Sequence, residues 1–390
     1  MARTGAVQQM EKLWKRVWAY CPLDLSASSF CVCNEVQRIE LPVNARGEGI
    51  RIRLSNAYGK APLPFRWIRL GGGDERSFSF LGSHEVCLMP GQELWSDPLP
   101  AEVEPDRTVV IETCVTENTP VDTGVCFCTE KAGRVHFTDA VTGAMLSPFR
   151  GMTAQDPRCR VIYGLCEAEV LCGADTAVIA AFGDSITHMS FWTGALQQTM
   201  LRKYPGRGNV IDLGIGGNRI LRDTPEKAGV GRLFGPAGIR RFEKEVFHGD
   251  ETAVLILEGV NDLWHPFAYD LPEERCGADD LIRGLSFYAS AARKHHVPAW
   301  CGTVLPFIGQ ETVTWEMEEE RLKLNAWIRA SACFAGVLDY DRALRDPGCP
   351  ERLDPRYDSG DHLHPGLSGG ERMAEEIPLD AVLNAVSRGG

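Results

Sequence analysis

Ala177-Val-Ile-Ala-Ala-Phe-Gly-Asp-Ser-Ile-Thr187 opens with six apolar residues and closes on a glycine, an acid and two hydroxyl residues. The apolar run has the length of a buried strand, and Gly183 permits a tight turn directly after it. Three further segments share its character: Gly214-Ile-Gly-Gly-Asn218, Gly259-Val-Asn-Asp262 and Asp361-His-Leu-His-Pro365. The first two of these also follow apolar runs. The first three motifs therefore fall where a strand ends and the chain turns toward a helix, which is where the ligand crevices of open α/β sheets lie, and the fourth sits between the last strand and the last helix.

Outward from that stretch, strand-like runs at 177–182, 210–213, 253–257, 299–305 and 337–340 alternate with helical patterns near 191–204, 237–247, 279–295, 315–330 and 368–386. Alternating β and α implies a doubly wound parallel sheet with helices on both faces. Upstream the pattern differs. Gly49-Ile-Arg-Ile-Arg-Leu-Ser55 alternates apolar and polar residues, placing Ile50, Ile52 and Leu54 on one buried face, and Thr108-Val-Val-Ile-Glu-Thr-Cys-Val115 is a second strong run. Turn signals at Asn56-Ala-Tyr-Gly59, Gly71-Gly-Gly-Asp74 and Asp122-Thr-Gly124 separate such runs, the pattern of a β-sandwich. The expected organisation is a β-sandwich, jelly-roll-like, over residues 1–172 and an α/β unit over 173–390. A chain of 390 residues exceeds the size at which one core keeps growing.

A formal net charge of −12, with no block of Lys or Arg, argues against nucleic acid or an anionic membrane as the main partner, so a small molecule is expected. Glu11, Lys12, Lys15 and Arg16 interrupt any apolar stretch of signal-peptide length near the start. The expectation is a cytoplasmic protein without a signal sequence or membrane span. Ten of the fourteen cysteines lie between Cys21 and Cys172. In such a chain they would stay reduced. The pairs Cys31/Cys33 and Cys126/Cys128 lack the spacing usual for zinc, and cysteines at i and i+2 on a strand simply share a face, so no metal site is expected.

A serine hydroxyl becomes a nucleophile only when a neighbouring base takes its proton, so Ser185 must stand on a turn within reach of a histidine. Backbone N–H groups at the following helix start would face a developing oxyanion. The alternative reading of Ser185 is a helix N-cap. Glycines in Gly214-Ile-Gly-Gly-Asn-Arg219 let a backbone N–H approach a substrate oxygen, whereas a dinucleotide fingerprint would need glycine where Arg219 stands. The Asn261 carboxamide could donate another hydrogen bond, or could close an Asx turn with Asp262. In the last segment Asp361 could orient His364, with His362 as the rival base and Asp358 as the rival acid.

Taken together, the four segments resemble the successive sequence blocks of the GDSL/SGNH hydrolases from residue 177 to about residue 373. Phe182-Gly-Asp-Ser-Ile-Thr187, Gly216-Gly-Asn-Arg219 and Ser359-Gly-Asp-His-Leu-His-Pro365 are similar to a bacterial acetylxylan-esterase-like subgroup that carries a sandwich ahead of the hydrolase unit. Arg53-Leu-Ser-Asn-Ala-Tyr-Gly-Lys-Ala-Pro-Leu63 looks like part of that sandwich. The resemblance implies a Ser185–His364–Asp361 triad with an oxyanion hole of Ser185, Gly217 and Asn261, Gly216 being the near competitor of Gly217. It also implies an SGNH-hydrolase-like fold and, without any cofactor, hydrolysis of short acyl esters, acetyl groups on sugars above all. His188-Met189 stands where the pattern has Asp-Gly, so substrate choice is the point of departure. His188, Arg219, Trp264 and His265 are the residues expected to touch substrate, and Phe191, Trp192 and Phe307 join Trp264 as a candidate aromatic platform. Two alternatives remain at this point: a carbohydrate-binding protein with an inactive hydrolase unit, and a lipase or thioesterase of the same mechanism.

Overall fold

The computed structural model describes residues 11–71, 76–105, 107–148 and 159–385. Positions 72–74 of the expected Gly71–Asp74 turn and Val386 lie outside the described residues, as do residues 1–10.

The N-terminal part is built around two five-stranded antiparallel sheets, with smaller two- and three-stranded pairings beside them. One is ordered Lys12–Ala19, Gly164–Gly173, Gly47–Ser55 and Glu93–Trp95, with Leu99–Val103 also pairing on Gly47–Ser55. The other runs Arg134–Asp139, Glu35–Leu41, Val109–Val115, Trp67–Leu70 and Arg76–Ser77. Strand Glu35–Leu41 alternates buried and half-buried residues along its length. Ile39 and Leu41 from it, Ile111 and Phe137 from its neighbours, and Ile50, Ile52 and Leu54 from the facing sheet meet in one core. That is the period-two burial expected of packed sheets.

The second part is a five-stranded parallel sheet: β1 (Ala177–Gly183), β2 (Gly208–Gly214), β3 (Ala253–Leu257), β4 (Ala299–Gly302) and β5 (Gly336–Leu338). Their spatial order is 2-1-3-4-5, all parallel. Every residue of β1 to β4 is buried, as a sheet covered on both faces requires. The helices are α1 (Ser185–His188), α2 (Phe191–Lys203), α3 (Gly238–Val246), α4 (Val260–Ala268), α5 (Ala278–Lys294), α6 (Trp315–Ala330), α7 (Tyr340–Leu344), α8 (Leu367–Glu375) and α9 (Leu379–Ala385). Strand order reverses at β1, between β2 on one side and β3 on the other, and the carboxyl ends at such a reversal are where open α/β sheets bind their ligands.

The strands expected over 299–305 and 337–340 end earlier, at Gly302 and Leu338, and two helices and the cysteines also differ from the sequence reading. The helix expected over 368–386 is two helices, α8 and α9, with Pro378 in the break because its ring cannot continue the first. Helix α4 was hidden by Pro266 in its interior. Pro266 has no N–H for the Asp262 carbonyl, which accepts instead from Cys276 Sγ at 3.4 Å. The cysteines are not all reduced either: a disulfide joins Cys128 and Cys159. Phe127 pairs with Arg160 in the antiparallel ladder, so the next pair outward places Cys128 opposite Cys159. The Cys126 sulfur lies within 4.8 Å of both, whereas Cys31 and Cys33 are exposed.

The two parts share buried surface. Tyr20 forms a parallel bridge with Asp212 on the outer edge of β2, covering an edge that would otherwise be open. Ala19, Cys21, Leu23 and Leu25 enter the same apolar cluster as β1 and β2. Among the described residues, no helix is long and apolar enough to cross a membrane.

Candidate active site

Strand β1 ends at Gly183, where a Cβ would stand 2.1 Å from the Leu257 carbonyl of β3. Only glycine fits, and the reason is this close approach of strands rather than an unusual backbone angle. Asp184 then caps α1, accepting from the Ile186 N–H at 3.0 Å. Ser185 is thus the first helical residue and not the cap, and its Oγ lies 2.7 Å from His364 Nε2. On the other side of the ring, His364 Nδ1 lies 2.6 Å from Asp361 Oδ2. Burial works to raise the Asp361 carboxyl, but the His364 ring and the backbone N–H groups of His364 and Leu363 outweigh it and hold the group well below the usual carboxylate range. An ionised Asp361 can only accept, so Nδ1 carries the proton and Nε2 presents a lone pair to Ser185.

The rival pair has its own arrangement. His362 Nδ1 meets Asp358 Oδ2 at 2.6 Å, and the His362 side chain is 55% exposed. A bridge between Asp358 and Pro365 closes this loop, and His362 takes a positive φ of 61° within it. The loop so divides its histidines that His364 turns onto Ser185 while His362 stays with Asp358.

Strand β2 delivers the glycine turn. Asn218 N–H donates to the Ile215 carbonyl at 3.0 Å, with Gly216 and Gly217 between them. Gly217 has φ +73°, and a Cβ there would lie 2.4 Å from Phe234. The N–H groups of Ser185, Gly216 and Gly217 have no acceptor among the described residues. From α4, Asn261 Nδ2 donates to the Asn218 carbonyl at 2.9 Å, which fixes the carboxamide and leaves its second N–H. Asp262 accepts from the Ile220 and Leu221 N–H groups at 2.8 and 3.0 Å, pinning the chain that follows the glycine turn. Neither residue closes an Asx turn with the other.

The remaining expected residues are placed as follows. His188 is buried beside Gly216, and burial, with Arg241 nearby, pushes its ring down to about 4. His265 is buried, and burial together with Arg219 takes it to about 3, so both rings are neutral near pH 7. Arg219 is buried, with Nη1 on Glu274 at 2.5 Å and Nη2 on the Asp223 carbonyl. Trp264 is half-buried and donates to Thr312 Oγ1 at 2.7 Å. Its ring lies 5.4 Å from His265, whose own ring lies 5.4 Å from Phe234. Phe191, Trp192 and Phe307 belong to the core and form no platform.

Beneath the site lie groups that sequence reasoning missed. Burial pushes Asp184 up to about 7, against the Ile186 N–H that lowers it, and pushes Glu258 up to about 8 against Arg241 and the Tyr288 hydroxyl. Arg241 donates to the Gly183 and Leu213 carbonyls and to Asn218 Oδ1, each at 2.8 Å. The available signal was an arginine on the buried stripe of α3, beside Gly238, Phe242 and Val246.

Comparison with known proteins places this geometry in context. Residues 181–372 match the GDSL-like lipase/acylhydrolase family. No curated protein matches the chain. Among solved structures, an acetyl xylan esterase from Geobacillus stearothermophilus is similar at 18% identity, covering 54% of this chain and 96% of its own, with a TM-score of 0.40. An α/β hydrolase enzyme from the metagenome of Lake Arreo is similar at 16% identity, 55% and 98% coverage and a TM-score of 0.41. A GDSL-like lipase from Bacteroides thetaiotaomicron is similar at 19% identity, 53% and 88% coverage and a TM-score of 0.37.

Proposed function

This chain belongs, through residues 181–372, to the GDSL-like lipase/acylhydrolase family and is an ester hydrolase, and from that premise we propose that it cleaves short acyl esters, acetyl esters of carbohydrates foremost, through an acyl-enzyme on Ser185. The observation that carries the reading is the line from Asp361 through His364 to Ser185, with contacts of 2.6 and 2.7 Å.

In the proposed reaction Ser185 Oγ attacks the ester carbonyl while His364 Nε2 takes its proton. The oxyanion accepts from the N–H groups of Ser185 and Gly217 and from Asn261 Nδ2, and His364 then protonates the departing alcohol. Water clears the acyl group by the same route. Asp361 fixes the ring's tautomer and balances its transient charge.

Substrate choice rests on the wall beyond the glycine turn. Phe234 lies against Gly217, and Trp264 is held by Thr312, so the acyl side is short and the leaving-group side carries recognition. Trp264 is the side chain assigned to substrate; His188, Arg219 and His265 act from behind it and the glycine turn. The chain divides functionally at residues 172 and 173, with catalysis in the second part. The test is a fluorophosphonate probe together with p-nitrophenyl acetate. Wild type should be labelled and should turn over, and Ser185→Ala should do neither; labelling that persists in Ser185→Ala would refute the assignment.

A further inference from the structure

Arg241 projects from α3 into the floor of the site, and its side chain is 1% exposed. Its guanidinium reaches both strand ends. Nη2 donates to the Gly183 carbonyl, two residues before Ser185, and Nη1 to the Leu213 carbonyl, three residues before Gly216. Nε donates to Asn218 Oδ1, and Asn218 closes the glycine turn through its N–H while its carbonyl receives Asn261 Nδ2. The Asn218 carboxamide is further fixed by donating 2.8 Å to the Pro236 carbonyl and 2.6 Å to that of Phe234. One planar cation thus touches the segments bearing Ser185 and the glycine turn directly, and the Asn261 carboxamide through one intermediary.

Resting on the reading of those segments as nucleophile and oxyanion donors, we propose that Arg241 is a positioning residue that holds the oxyanion donors of β1, β2 and α4 in mutual register. Donors stabilise an oxyanion only when all lie about 2.7–3.1 Å from it, so a slip between the ends of β1 and β2 would weaken each at once. A guanidinium can prevent that slip because its N–H groups leave one plane in fixed directions, whereas an ammonium offers a single point. The charge is compensated by Glu245, whose Oε2 accepts at 2.6 Å from Nη1, the nitrogen that also donates to Leu213. The far end of α3 is itself anchored: Arg16 Nη2 donates to the Val246 carbonyl at 2.8 Å, and Arg16 Nε to Asp250 Oδ1 at 2.8 Å. The strand Lys12–Ala19 therefore sets where α3 delivers Arg241.

The test combines Arg241→Met and Arg241→Lys, each alone and with Asn261→Ala, measured by steady-state hydrolysis of p-nitrophenyl acetate and by thermal melting. In Arg241→Met kcat should fall ~10²-fold with KM within about 3-fold, and Arg241→Lys should lie between it and wild type. In the Asn261→Ala background the same change should cost less than about 10-fold, because the donor that Arg241 aligns is already gone. If Arg241→Met does not fold, the cycle is read on Arg241→Lys, which keeps the stem and the charge. Equal losses in both backgrounds, or a loss confined to melting temperature, overturn the positioning role. A wild type with no Ser185-dependent turnover would instead refute the reading of the site itself.

Discussion

Asp361→Asn separates orientation from packing at this site. The asparagine Oδ1 can still accept from the Leu363 and His364 N–H groups, now at 3.0 and 2.8 Å, so the loop should hold its shape. At the other atom a donor replaces an acceptor: Nδ2 would face His364 Nδ1 where Oδ2 now stands at 2.6 Å. The ring relieves that clash by moving its proton to Nε2, and an Nε2–H cannot take the Ser185 proton. Charge is lost as well. For a carboxylate with a side chain 50% exposed, an effective dielectric of about 20–80 gives ~1–4 kcal/mol for a pair about 4 Å apart, or ~5- to ~10³-fold in rate. Adding the wrong tautomer brings the expected loss in kcat to ~10³-fold, within a range of ~10²–10⁴. Asp361→Ala removes the charge without imposing a tautomer and should lose less. Asp358→Asn, altering the neighbouring pair, should cost under about 3-fold by the same reasoning. Steady-state hydrolysis of p-nitrophenyl acetate, with thermal melts as the control for folding, reads all three. An Asp361→Asn enzyme retaining over about a tenth of wild-type kcat, or an Asp358→Asn enzyme more damaged than it, would refute the argument.

Four other outcomes follow from the same geometry. His364→Ala should remove nearly all turnover while His362→Ala removes little, and the reverse order in kcat would reassign the base. Asn261→Ala should lower kcat by ~10²-fold at nearly constant KM, and a rise in KM at constant kcat would place Asn261 in ground-state binding instead. Glu258, raised from 4.5 to about 8, binds its proton more tightly folded than unfolded, so its contribution to stability is complete below pH 4.5 and lost as pH rises toward 8, at up to about 1.4 kcal/mol per pH unit; Glu258→Gln should flatten this fall in urea unfolding between pH 5.5 and 7.5, and an unchanged slope would mean another group causes it. Finally, kcat/KM should drop steeply from acetyl to octanoyl esters of one alcohol, and comparable values would move the reading toward a lipase or thioesterase.

Much of this was legible because the chemistry sits at strand ends. The period-two pattern around Ile50, Ile52 and Leu54 and the apolar run before Gly183 each announce a buried strand locally, and all of these residues are buried. What could not be read is whatever depends on which strand lies beside which. The 2-1-3-4-5 order is not written in any single segment, and without it the contact between Gly183 and the Leu257 carbonyl is invisible. Cys128 and Cys159 are 31 residues apart in sequence and meet only through the register of Phe127 with Arg160. Helix α4 was masked by a proline whose lost hydrogen bond is replaced from Cys276, a residue outside the helix. His188, Arg219 and His265 were singled out by type and proximity to the motifs, but burial, which decides how they can act, is a property of the assembled fold.

The same dependence on assembly bears on why so many buried polar groups surround a small reaction centre. Asp212 lies beside β1 on an edge strand, bridged to Tyr20 and accepting from Thr193 Oγ1 at 2.7 Å, and burial pushes it up to about 7. Tyr20 in turn meets Ser190 at 2.9 Å, at the left-handed start of α2, five residues beyond Ser185. Asn44 adds a further tie, donating from its N–H to Asn209 Oδ1 at 2.6 Å and from Nδ2 to the Gly208 carbonyl at 2.8 Å. Apolar packing alone would tolerate small slides of β2 along this edge, because it is non-directional. Directional bonds between fully buried partners do not, since a broken one leaves a polar group without water. A site whose donors come from the ends of separate strands needs that intolerance of sliding, and the N-terminal sheets supply it along the edge that the parallel sheet leaves open.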